Sequence, residues 1–131
     1  MRSILVVFSL VVSFTFLSCK GQSSSEINNI STDEMQSLLK MDDVQLVDVR
    51  TPKEFKTGFI ANAQNIDFLS STFDEDVKKL DKEKPVILYC HSGRRSANGA
   101  EKLLKAGFVK IYNLKGGIVQ WQLEGLEINK E

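Results

Sequence analysis

The chain's chemistry is concentrated in one stretch, Cys90-His91-Ser92-Gly93-Arg94-Arg95-Ser96. Thiolate is the reactive form of cysteine, and it is favoured by positive potential around the sulfur. A short loop that opens a helix supplies this potential twice over. Several backbone N–H groups converge on one spot, and the helix dipole puts its positive end there. Arg94 and Arg95 add two guanidinium groups to the loop. Cys90 is therefore the candidate nucleophile. A cysteine that closes an apolar strand can also be plain core, but a packing cysteine needs neither guanidinium groups nor a glycine loop. His91 is the only histidine of the chain. It is expected to be exposed rather than to act as a base, because a thiolate needs none.

Positioning this loop requires a strand before it and a helix after it. Val86 to Tyr89 is an apolar run behind Lys84-Pro85, and proline is tolerated at the first position of a strand. A helix is predicted from Ser96 to Ala106, with Ala97, Ala100, Leu103 and Leu104 inward and Gly107 as its stop. Upstream, Ser31 and Glu34 have capping-box spacing for a helix from Thr32 to Lys40, its apolar face made by Met35, Leu38 and Leu39. Val44 to Val49 reads as a strand, and Asp48 and Arg50 stand at its C-terminal end. These two can shape the pocket or form a structural ion pair with each other or with Glu54. Thr51 to Phe55 suits a short helix with proline in its first turn, ended by Gly58. Ala63 to Ile66 gives a brief strand, and Thr72 to Leu80 a helix with Phe73, Val77 and Leu80 inward. Phe108 to Leu114 is another strand, Gly116-Gly117 a turn, and Ile118 to Leu123 a last helix; Phe108 and Trp121 are expected in the core. Strands and helices alternate, so the fold class is α/β, with a parallel sheet covered on both faces. The site belongs at the C-terminal edge of such a sheet, where both Cys90 and Asp48-Val49-Arg50 fall.

The chain has 131 residues, enough for one domain, and its 17 basic and 17 acidic residues cancel. That balance leaves no electrostatic footprint for nucleic acid. One histidine and one cysteine in the mature domain offer no metal-site spacing, and no cofactor is called for. Arg2 is followed by the uncharged stretch Ile4 to Leu17 and then Ser18-Cys19, the pattern of a secretory signal peptide over residues 1 to 18. Phe16-Leu17-Ser18-Cys19 resembles a bacterial lipobox, although Phe16 stands where leucine is usual. That resemblance implies lipid attachment at Cys19 and an exported domain on the periplasmic side of a bacterial membrane. An ordinary signal peptide, giving a soluble periplasmic protein, is the alternative, and a Cys19–Cys90 disulfide is a third possibility. Lys20 to Asn29 is polar and aperiodic and reads as a flexible tether, which makes residues 30–131 the folded domain.

Three separated motifs then resemble one family. Asp48-Val49-Arg50-Thr51-Pro52-Lys53-Glu54-Phe55, continued by Gly58-Phe59-Ile60, is similar to the first signature of rhodanese-like domains. Tyr89 to Ser96 is similar to their active-site loop, and Tyr112 to Ile118 with Trp121 to their closing signature. Phe59 stands where many members have histidine, a position usually treated as structural. The resemblance covers about residues 30 to 125 and implies a three-layer α/β/α domain with a central, mainly parallel sheet. It further implies a single-domain sulfurtransferase, in which Cys90 takes sulfur from a small sulfur-containing anion such as thiosulfate and passes it to a thiol, protein or cyanide acceptor. The loop residues His91, Ser92, Gly93, Arg94, Arg95 and Ser96 would hold the donor and the persulfide, with Asp48 and Arg50 in support. A regulatory binding module on the same fold is the second reading. A cysteine phosphatase or arsenate reductase is the third. Those enzymes need five residues between cysteine and arginine, whereas four separate Cys90 from Arg95, and Ser96 occupies the place of their arginine.

Overall fold

The computed structural model describes residues 25–131. The expected signal peptide and the lipid-attachment residue Cys19 lie outside the described residues. Among those described, no helix is long and apolar enough to cross a membrane.

The sheet has five strands: β1 (Glu26–Ile30), β2 (Gln45–Asp48), β3 (Gln64–Asn65), β4 (Val86–Tyr89) and β5 (Lys110–Leu114). Their order across the sheet is β1-β5-β4-β2-β3, and every neighbouring pair is parallel. The strands therefore all point their C-terminal ends at one edge, which gathers the loops after β2, β4 and β5 there. The helices are α1 (Thr32–Leu39), α2 (Pro52–Thr57), α3 (Phe73–Asp76, continued by a 3₁₀ turn over Val77–Lys79), α4 (Arg94–Lys105) and α5 (Gly117–Leu123).

Period-2 alternation divides the core in two. Val86, Leu88 and Cys90 face one cluster with Phe73, Val77, Ala100 and Leu103, while Ile87 and Tyr89 face another with Met35, Ile118 and Trp121. Thus α3 and α4 cover one face of the sheet and α1 and α5 the other. β4, at the centre, is buried on both faces, which is why its sequence shows no polar alternation.

Two expectations need correction. The tether does not reach Asn29, because the sheet begins at Glu26. β1 pairs along its whole length with β5, from Glu26 opposite Lys110 to Ile30 opposite Leu114. Ile27 and Ile30 are three apart, so they point to opposite faces, one into each core cluster. Asn28 and Asn29 between them hid the strand, since an edge strand held by backbone bonds can be polar. The second correction concerns α4, which starts at Arg94 rather than Ser96. Gly93 takes the left-handed φ of +107° and its carbonyl accepts from the Ala97 N–H at 3.1 Å, so both loop arginines enter the first helical turn.

Candidate active site

Cys90 leaves the central strand at the floor of the loop, 1% exposed, as a free thiol. Two donors meet its sulfur. The Gly93 N–H donates to Sγ at 3.1 Å, and the Ser96 hydroxyl lies 3.3 Å from Sγ. The same hydroxyl is 3.1 Å from the Gly93 carbonyl, so its one proton serves either acceptor, and a negative sulfur is the stronger. The first-turn amides of α4 have no acceptor within their own helix, and they project from the helix end at which Sγ sits.

The loop's carbonyls are turned the other way by α5. The Ile118 N–H donates to the Cys90 carbonyl at 2.9 Å and the Val119 N–H to the His91 carbonyl at 3.1 Å. This approach is possible only because residue 117 is glycine. A Cβ there would stand 2.5 Å from both carbonyl oxygens, and φ is +59°. Gly116-Gly117 is therefore part of the site rather than only a turn.

Of the residues expected at the site, His91, Ser92 and Arg94 are exposed around the loop, and Ser96 is fully buried beneath it. Arg94 has no ion-pair partner among the described residues. Arg95 is committed elsewhere: its Nη1 and Nη2 donate to Glu54 Oε2 and Oε1 at 2.7 and 2.8 Å, a bidentate pair that ties α4 to α2. Glu54 also closes the cap of α2, accepting from the Thr51 N–H at 3.0 Å and the Thr51 hydroxyl at 2.9 Å. The Arg95 guanidinium, helped by Thr51, holds the Glu54 carboxyl down at about 2.

Asp48 and Arg50 form the structural ion pair with each other that was one of their two expected roles. Arg50 Nη2 and Asp48 Oδ2 are 2.7 Å apart with both side chains buried. The Arg50 N–H also donates to Asp48 Oδ1 at 2.9 Å, and Nη2 donates to the Gly58 carbonyl at 2.6 Å. The phenol of Tyr89, buried beside them, accepts from the Ile60 N–H at 3.0 Å, and its burial pushes its pKa far up. Phe59 stacks on Phe55 with ring centroids 4.3 Å apart and bridges to Asn129, a packing role. Glu54 and Gly117 were missed as site residues. The spacing Thr51…Glu54 is a capping box, which would have put the Glu54 carboxylate at the exposed start of α2.

Comparison with known proteins places the geometry. The sequence model described as the rhodanese-like domain matches residues 31–124. A sulfurtransferase of Allochromatium vinosum is 34% identical over 103 residues, 78% of this chain and 94% of that protein. A thiosulfate sulfurtransferase of Coxiella burnetii is 37% identical over 93 residues, 71% of this chain and 85% of that one. Among solved structures, a rhodanese-related protein of Thermoplasma volcanium superposes with a TM-score of 0.70 at 32% identity, over 79% of this chain and 99% of its own. The polysulfide-sulfur transferase homodimer of Wolinella succinogenes superposes at 0.69 and 30% identity, over 83% and 82%.

Two outcomes are expected from this geometry. Gly117→Ala drives a methyl group into the Cys90 and His91 carbonyls and displaces the loop, so modification of Cys90 by an anionic reagent should slow by about 10²-fold, the cost of an ångström-scale misplacement. A rate near that of the wild type in stopped-flow alkylation would refute the buttress. Glu54 has a depressed folded pKa, so its contribution to stability is full above about 4.5, the ordinary carboxyl value, and is lost as pH falls towards about 2. Urea unfolding of Glu54→Gln across that window should show a shallower acid loss than the wild type.

Proposed function

We propose that this chain, which belongs to the family of rhodanese-like domains, is a sulfurtransferase that carries sulfane sulfur on Cys90. The observation that carries this reading is the sulfur itself, set at the floor of the loop with the Gly93 N–H and the Ser96 hydroxyl aimed at it. In the first half-reaction the Cys90 thiolate attacks the outer sulfur of an anionic donor. The Cys90–sulfur bond forms as the donor's sulfur–sulfur bond breaks, and the leaving group departs with the electron pair; from thiosulfate this is sulfite. The persulfide anion then replaces the thiolate before the same donors and the first-turn amides of α4. In the second half-reaction an acceptor thiolate attacks the outer sulfur, and Cys90 leaves as thiolate. Its curated relatives in Allochromatium vinosum and Coxiella burnetii carry sulfurtransferase names, which supports this assignment.

We also propose that the domain is exported and held to a membrane by lipid on Cys19, on the sequence pattern of residues 1 to 19. Donor and acceptor would then meet Cys90 outside the cytoplasm.

The test of the activity is mass analysis of the Cys90 peptide after the full reduced chain meets thiosulfate or polysulfide. Wild type should gain one sulfur atom at Cys90 and Cys90→Ser none. No gain from either donor, in a chain whose Cys90 is still alkylated, would defeat the assignment. For export, globomycin in a bacterial host should leave the precursor unprocessed; normal processing in its presence would point to an ordinary signal peptide.

A further inference from the structure

Three arginines stand where the sheet ends beside Cys90, and most of their charge is already spent. Arg50 is closed in its buried pair with Asp48. Arg95 has both terminal nitrogens on Glu54, and Arg94 is exposed without an ion-pair partner among the described residues. Arg95 lies in the first turn of α4, the helix end that meets the sulfur through the Gly93 N–H. Its guanidinium holds its proton more tightly than usual chiefly because of the hydrogen bonds to Glu54, and the charge of Cys90 adds to this. With the Glu54 carboxyl held down at about 2, the pair carries no net charge near neutral pH.

A donor approaching the loop is therefore met by backbone amides, a hydroxyl and one exposed cation, not by a cluster of guanidinium groups. The Cys90 thiolate brings one negative charge of its own. A dianion such as thiosulfate adds two more, whereas a persulfide or thiosulfonate adds one. We propose that Glu54 sets the charge selectivity of the site: by neutralising Arg95 beside Cys90 it favours singly charged sulfane-sulfur donors over dianions. Glu54 is thus a positioning and specificity residue that acts through Arg95, and this assignment rests on the sulfur-transfer reading above.

The experiment compares two donors that deliver sulfur by the same step. Thiosulfate, a dianion, releases sulfite; methanethiosulfonate, a monoanion, releases methanesulfinate. For each, the second-order rate of sulfur loading on Cys90 in the full chain is read by peptide mass. Glu54→Gln keeps a residue able to cap α2 and removes the negative charge. It should raise the thiosulfate-to-methanethiosulfonate rate ratio by about three- to tenfold. Arg95→Gln, which leaves Glu54 unneutralised, should lower the same ratio. Opposite shifts support the proposal. A purely structural role would slow both donors together in both variants, and a ratio within about twofold of wild type in both would overturn the assignment. A second readout needs no sulfur transfer: the rate of Cys90 alkylation by iodoacetate divided by that by neutral iodoacetamide. If neither donor loads the wild-type chain, the transfer reading fails, and this quotient still decides whether Glu54 governs the charge at Cys90. A rise in Glu54→Gln and a fall in Arg95→Gln support that control; no change in either overturns it.

Discussion

The hydrogen bonds from the first turn of α5 to the carbonyls of Cys90 and His91 are the constraint on which the site depends. A peptide unit carries its N–H and its C=O on opposite sides. Fixing these carbonyls on α5 turns the N–H groups of His91 and Ser92, their partners in the same peptide units, to the other side, and the next amide along, that of Gly93, meets the sulfur. The same bonds satisfy two of the amides that the start of α5 would otherwise leave without partners. One contact therefore completes a helix and shapes a loop, and glycine at 117 is what allows the two backbones to meet. The parallel sheet makes the contact possible, because it brings the ends of β4 and β5 to the same edge.

A second frame holds the opposite side. Burying Asp48 and Arg50 together costs desolvation that their attraction only roughly offsets, so the pair is weak evidence for stability. Its geometric effect is clearer. Asp48 takes the Arg50 N–H, and Arg50 takes the Gly58 carbonyl, which fixes both the turn out of β2 and the end of α2. α2 is short, and with its ends fixed Glu54 is presented to Arg95 across the mouth of the site. A distortion at Asp48 would thus reach the cysteine loop through Glu54 and α4.

The parts of this design that rest on local pattern were legible in the sequence. Ser31 and Glu34 cap α1 as their spacing implied. Phe73, Val77 and Leu80 are buried as their helical spacing required, although the last turn tightens to 3₁₀. Alternation of strands and helices was enough for a parallel α/β domain with Cys90 at the sheet edge. What escaped was long-range or backbone-borne. β1 exists through its pairing with a strand more than eighty residues away, and its own residues give little sign of it. Arg94 and Arg95 looked equivalent as neighbours in sequence. Their difference comes from Glu54, which is 41 positions from Arg95. Likewise the meeting of Gly117 with the cysteine loop follows from strand order and not from any nearby residue.

With Arg50 and Arg95 neutralised, the groups that touch the sulfur are ones that do not titrate: the backbone N–H of Gly93 and the Ser96 hydroxyl, at the start of α4. In the sulfur transfer proposed above, such dipoles would keep their orientation as the sulfur changes from thiolate to persulfide, so little reorganisation would accompany either half-reaction. A guanidinium on a long side chain would move with each anion that arrives. Tying Arg95 to Glu54 removes that freedom and makes the arginine a strut between α2 and α4. In that reading the loop separates two tasks, with backbone dipoles stabilising the sulfur anion and the paired side chains setting the charge that an incoming donor would encounter.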